Sequence, residues 1–124
     1  MTPGADETMA FGKPGGETCG RPGARPVDLV HLARQTLGDR ALEQEVLELF
    51  VQQMISIRER LPLADEAERK MLAHTLKGAA RGVGAFAVAD CADEIEKTPS
   101  SKTHLAKLPG LIDEVRDFVA AINR

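Results

Sequence analysis

The sequence predicts an all-α fold: an antiparallel up-down four-helix bundle with a short additional N-terminal helix. Three observations carry that expectation. Apolar residues recur three and four apart through four long stretches, as they do in helices that bury one face. The chain has no Trp or Tyr and only four Phe, so aliphatic side chains and alanine must fill its core, which suits helices better than a β-sandwich. The breaks between the periodic stretches are short, and short connections make consecutive helices antiparallel neighbours.

The 124 residues amount to one domain. Residues 1–26 stand apart from the rest. They hold six Gly and four Pro with scarcely any apolar periodicity, and read as a flexible leader with no fold of its own. The bundle is expected over residues 27–124. Asp28 is placed to cap a first short helix, edged by Leu29, Leu32, Ala33 and Thr36 and stopped at Gly38. Asp39 caps a second helix whose inward stripe is Leu42, Val46, Leu49, Phe50, Met54, Ile57 and Leu61, ended by Pro62. Asp65 and Glu68 make a D-x-x-E start for a third helix, with Leu72, Leu76, Ala79 and Val83 inward and Gly82 and Gly84 at its end. A fourth runs from about Ala85 to Lys97, with Val88, Ala92 and Ile95 inward. The last runs from about Lys102 to Ile122, and Pro109 with Gly110 predicts a kink or a lead-in helix there.

Bulk properties exclude several classes. A net charge of −3 and a pI of about 5.6 argue against nucleic acid or an anionic membrane as partner. No stretch approaches the roughly 20 apolar residues of a membrane-spanning helix, and the N-terminus lacks the basic start and apolar run of a signal peptide. Cys19 and Cys91 have no metal-ligand spacing, and Cys91 falls in a helical pattern as a small buried residue. A reducing cytoplasmic setting without disulfides fits this usage.

Chemistry concentrates at His74-Thr75-Leu76-Lys77-Gly78 in the third helix. Helical spacing puts His74, Lys77 and Gly78 on one face, and Lys70 and Arg81 extend it a turn or two each way. That face is opposite the core stripe, so the imidazole is expected in solvent. Four cations (Arg69, Lys70, Lys77, Arg81) against two acids (Glu66, Glu68) give this helix +2 in a chain of net −3, a setting that attracts an anion. Helical side chains lean toward the N-terminus, which tilts Lys77 back toward His74. A mid-helix glycine costs about 1 kcal/mol relative to Ala, which something at Gly78 must offset: open access to the ring for another protein's active site is one candidate, and a close helix-packing contact is the other. The bland alternative is that one exposed His near Lys is simply a solvated face. His31 and His104 lack any such neighbourhood and read as solvated, as does the Asp90, Asp93, Glu94, Glu96 cluster. No His/His or Glu/His spacing around His74 suggests a metal, and no P-loop or Gly-rich nucleotide loop is present.

His74-Thr75-Leu76-Lys77-Gly78, with Gly84 ten residues after the histidine, resembles the H-x-x-K-G signature of histidine-containing phosphotransfer (HPt) domains. Leu47-Glu48-Leu49-Phe50 and the helix Cys91-Ala92-Asp93-Glu94-Ile95-Glu96 resemble the family in order and spacing, so the likeness covers about residues 27–124. It implies a four-helix phosphocarrier, not a kinase, that relays phosphoryl groups between receiver-domain aspartates in a multistep two-component phosphorelay. On that resemblance His74 is the phosphoacceptor through Nε2, Lys77 steadies the phosphoryl group, Gly78 leaves room for the receiver and Gly84 ends the helix. Arg81 and Lys70 supplement the charge. The implied partners are receiver domains of response regulators and hybrid histidine kinases, met by a monomer that has no cofactor of its own. The receiver supplies Mg²⁺. Many members carry Ser after the K-G pair and Asn near Gly82; here Ala79 and Gly82 stand there. Two other readings compete: a phosphoacceptor module excised from a larger histidine kinase, and a helical interaction bundle with no phosphate traffic.

Overall fold

The computed structural model describes residues 25–123, which form five helices joined by short connections, with no strand among the described residues. They are α1 (Leu29–Gln35), α2 (Arg40–Arg60), α3 (Glu66–Val83), α4 (Phe86–Lys97) and α5 (Lys102–Ile122), with a 3₁₀ turn at Leu61–Leu63. Helix α3 packs on α4, α4 on α5, and α2 on both α3 and α5, which closes a four-helix ring, with α1 laid against α3. The expected leader lies outside the described residues except for Arg25 and Pro26. No helix among the described residues is long and apolar enough to cross a membrane.

Capping side chains set most helix starts, because each supplies an acceptor for otherwise unpaired first-turn N–H groups. Asp28 accepts from the Val30 and His31 amides at 3.0 and 3.1 Å, Asp39 from Leu42 at 3.0 Å, and Asp65 from Glu68 at 2.8 Å. Glu68 sends its own carboxylate to Arg60, at 3.3 Å. Ser101 caps α5. Helix α1 ends earlier than expected, at Gln35, because Leu37 and Gly38 both take the left-handed conformation with φ of 55° and 78°. Pro109 is carried inside a single helix rather than splitting α5.

Two inward stripes differ from the expected ones. In α2 the buried line is Leu47, Phe50, Met54 and Ile57, continuing to Leu61, whereas Leu42 and Leu49 are 42% and 60% exposed. The apolar residues of α2 support two rotations of the helix, and neighbours on both sides select the strict three-four repeat. In α3 the core takes Leu72, Ala73, Leu76, Ala80 and Val83, with Ala79 at its margin. Ala73 and Ala80 are matched on α4 by the equally buried Ala89 and Ala92. Small side chains let helix axes approach, and α3 with α4 is the most extensive helix pair among the described residues.

Gly84 fixes the turn between them. Its φ is +90°, and the Gly84 and Ala85 amides both return to the Ala80 carbonyl, at 3.0 and 2.8 Å. The Gly84 carbonyl in turn accepts from the Asp28 amide at 2.9 Å, beside the fully buried Val27. Gly82, expected at the helix end, is still helical.

Candidate functional site

His74 lies at mid-length on α3, and its side chain is 69% exposed. Lys70, Gly78 and Arg81 share the exposed face, as spacing predicts. A Cβ added at Gly78 or Gly82 meets nothing within 4 Å, so no packing contact requires either glycine. Lys70 and Arg81 form no ion pair among the described residues. Gly84 is a structural element at the helix end, away from the histidine's turn.

Lys77 does not join that open face. Its side chain is only 17% exposed, and its ammonium lies 2.6 Å from Glu96 Oε1 and 3.2 Å from Asp93 Oδ1. The second oxygen of Glu96 is 2.8 Å from His74 Nδ1. Asp93 also meets Lys97, at 3.1 Å. The acids expected as a solvated face therefore divide: Glu94 is exposed, while Asp93 and Glu96 turn onto α3. The reach of Lys77 to Glu96, the same carboxylate that meets His74, keeps the lean toward the ring, while two carboxylates bind its charge.

Each ionisation follows from these contacts. The hydrogen bond from Lys77 holds the Glu96 carboxyl below its ordinary range, against partial desolvation, and His74 adds to the lowering. Burial pushes Asp93 up, but its bonds to Lys97 and Lys77 together bring it below the usual carboxylate value. Lys77 is raised chiefly by its bond to Glu96, and Lys97 by its bond to Asp93. Both acids and both lysines are thus charged at neutral pH, an alternating row that ends on the imidazole.

Sequence spacing contains a signal for this arrangement. Across the tight turn, His74 and Glu96 stand 11 residues before and after Ala85, and Lys77 and Asp93 stand 8 before and after it. An antiparallel hairpin brings such equidistant positions level with one another. The remaining histidines are not simply solvated: His31 packs edge-on against Phe86 at 5.2 Å, and His104 Nδ1 is 2.9 Å from the Ser101 hydroxyl. Cys91 is buried as expected, its thiol directed at the His104 carbonyl. Among the described residues no three His, Cys, Asp or Glu side chains gather as metal ligands.

The site therefore offers one accessible imidazole, held through one nitrogen, with cleared space and uncommitted cations along its helix. A family model described as the Hpt domain matches residues 45–123. The match starts within α2 and takes in α3, α4 and α5. No curated protein and no solved structure matches the chain significantly.

Proposed function

From the premise that this chain belongs to the Hpt domain family, phosphocarriers of two-component phosphorelays, we propose that His74 takes a phosphoryl group from one receiver-domain aspartate and delivers it to another. The observation that carries this reading is the exposed imidazole on a helix face cleared at Gly78. In the forward step the Nε2 lone pair attacks phosphorus, the bond to the aspartyl oxygen breaks, and its electron pair returns to the receiver's carboxylate. The reverse step regenerates free His74. Such in-line transfers depend on positioning and charge neutralisation more than on covalent machinery. The receiver supplies Mg²⁺, and this chain supplies a nucleophile on a rigid helix.

With Lys77 committed to carboxylates, the uncommitted cations are the better candidates for meeting phosphoryl oxygens. Side chains lean toward the helix N-terminus, so Arg81 leans toward His74 and Lys70 leans away from it. Arg81→Ala is therefore expected to slow transfer by about three- to tenfold, the worth of one charge-assisted contact at a partly solvated site. Lys70→Ala should cost less. Rapid-quench transfer from a phosphorylated receiver measures both, and an Arg81→Ala rate equal to wild type removes the arginine from the site.

Gly78→Ala should have effects of opposite sign on stability and transfer. With open space around the position, the methyl raises helix stability by up to about 1 kcal/mol. The same methyl intrudes where the receiver must approach and slows transfer. Gly82→Ala, a turn further from the ring, should give the stability gain with a smaller kinetic loss. Thermal melts beside transfer rates separate the two effects.

The reading as a whole is tested with a panel of receiver domains charged by acetyl phosphate. At least one should lose its phosphoryl group to this chain and yield an acid-labile, alkali-stable phosphohistidine. Retention of phosphate by every receiver in a complete panel from the source organism would refute it.

A further inference from the structure

We infer that Arg69 is a cap shared by two helix ends: its one guanidinium holds the close of α2 and the close of α4, so that the two loops there stay shut, or open, as a unit. The clamp is a property of the free protein, and only its effect on transfer rests on the phosphotransfer reading.

Arg69 carries its charge where its own helix does not favour it. It is the fourth residue of α3. The partial positive charge of a helix start favours acids, here Glu66 and Glu68, over a cation. Nor does a counter-ion offset this, since the half-buried Arg69 side chain meets no carboxylate among the described residues. The neighbouring cations do: Arg58 meets Asp113, Arg60 meets Glu68 and Lys97 meets Asp93.

What Arg69 meets instead is backbone. Its Nε donates to the Leu61 carbonyl at 3.3 Å, and its Nη1 to the Pro99 carbonyl at 3.4 Å. Leu61 directly follows α2, and Pro99 lies two residues past the end of α4. In an up-down bundle both of those helices finish where α3 begins. The last carbonyls of a helix have no partner within it, and together they carry about half a unit of negative charge. Two such ends oppose the whole charge of one guanidinium. Both bonds are long, and neither would hold a loop by itself. The planar fork couples them, because making one contact fixes the direction of the other.

Helix α4 is thereby tied to α3 at both ends, by the turn at Gly84 and by Arg69. Helix ends fray unless something holds them. The last turn of α4 carries Asp93 and Glu96, which reach Lys77 and His74. Release at Pro99 therefore loosens the turn that borders the histidine.

Amide hydrogen exchange on the full chain tests the clamp. Arg69→Met keeps an apolar stem and removes the fork. The amides that report on the two loops are Ala64, bonded to the Leu61 carbonyl, and Thr98 and Ser101, bonded to the Glu94 and Thr98 carbonyls. In R69M all three should exchange about five- to tenfold faster, roughly the worth of one hydrogen bond. Gly84 and Ala85, at the other end of α3, should keep their wild-type rates. Arg69→Lys keeps the charge without the fork and should protect one loop at most. Transfer from a charged receiver to R69M, measured well below its melting temperature, should slow about threefold, because a loosened support misplaces the reacting group. Acceleration in R69M at only one loop, at neither, or equally at Gly84 and Ala85 would overturn the inference. So would an R69K protein with wild-type protection at both loops. Wild-type transfer by an R69M protein with both loops loosened would overturn the link to the histidine. Exchange needs no receiver, so a chain that draws phosphate from none refutes the phosphotransfer reading, while the exchange rates still decide the clamp.

Discussion

Replacing His74 with Gln is expected to abolish phosphoryl acceptance while leaving the bundle intact. The ring is 69% exposed and contributes nothing to the core, so its loss should change stability by no more than about 0.5 kcal/mol, as surface substitutions usually do. Gln propagates a helix well, and α3 keeps its Asp65 cap and its glycine end. Among the described residues, neither of the other histidines is placed to substitute for it. His31 packs against Phe86, and His104 Nδ1 meets Ser101. Labelled phosphate presented on a charged receiver should transfer to wild type and stay on the receiver with H74Q. Acid-labile label on the variant would show that His74 is not the acceptor.

The second large effect is structural. Gly84→Ala should destabilise the domain by roughly 2–4 kcal/mol, because two penalties coincide at one atom. The backbone is left-handed, at φ +90°, a conformation that costs an L-residue about 1–2 kcal/mol. The added Cβ also falls 2.8 Å from the Asp28 carbonyl oxygen, a backbone atom that no side-chain rotation can move aside. Relief requires the segment before α1 to lift off, which breaks the 2.9 Å bond from the Asp28 amide and exposes Val27. For a domain of this size the melting temperature should fall by roughly 8–25 °C. Hydrogen exchange should accelerate first in α1. A variant melting with wild type would mean that the turn relaxes freely, contrary to the close approach seen here.

The three glycine substitutions in α3 and its turn make a useful contrast. Gly78 and Gly82 have open space where a methyl would go, whereas Gly84 has a neighbouring backbone. All three look alike as sequence, and only their surroundings separate clearance for a partner from clearance for the fold.

Helix identity was legible because apolar spacing and capping acids agree: Asp28, Asp39 and Asp65 each cap the helix that follows. The rotation of α2 was not, since Leu42 and Leu49 offer an apolar line that competes with the one through Leu47. The left-handed Leu37 carries no sequence mark at all, for leucine is no favoured residue there. At the site, spacing within one helix sufficed to bring His74, Gly78, Lys70 and Arg81 to a common face. It did not show that Lys77 is engaged by acids from another helix. Asp93 and Glu96 were hidden for the same reason: an acidic run on a helix ordinarily faces water, and its true neighbour is known only once the hairpin register is fixed.

That hairpin register has a consequence for how such a domain can change over time. The histidine and the side chains around it come from one unbroken stretch of chain, α3, the turn at Gly84 and α4. An insertion or deletion in the turn shifts the His74–Glu96 and Lys77–Asp93 pairs together, so the turn's length is under one shared constraint. Helices α1 and α2 supply none of those contacts. Their surfaces, including the outward Leu49, are free to drift toward new partners while the chemistry is inherited whole.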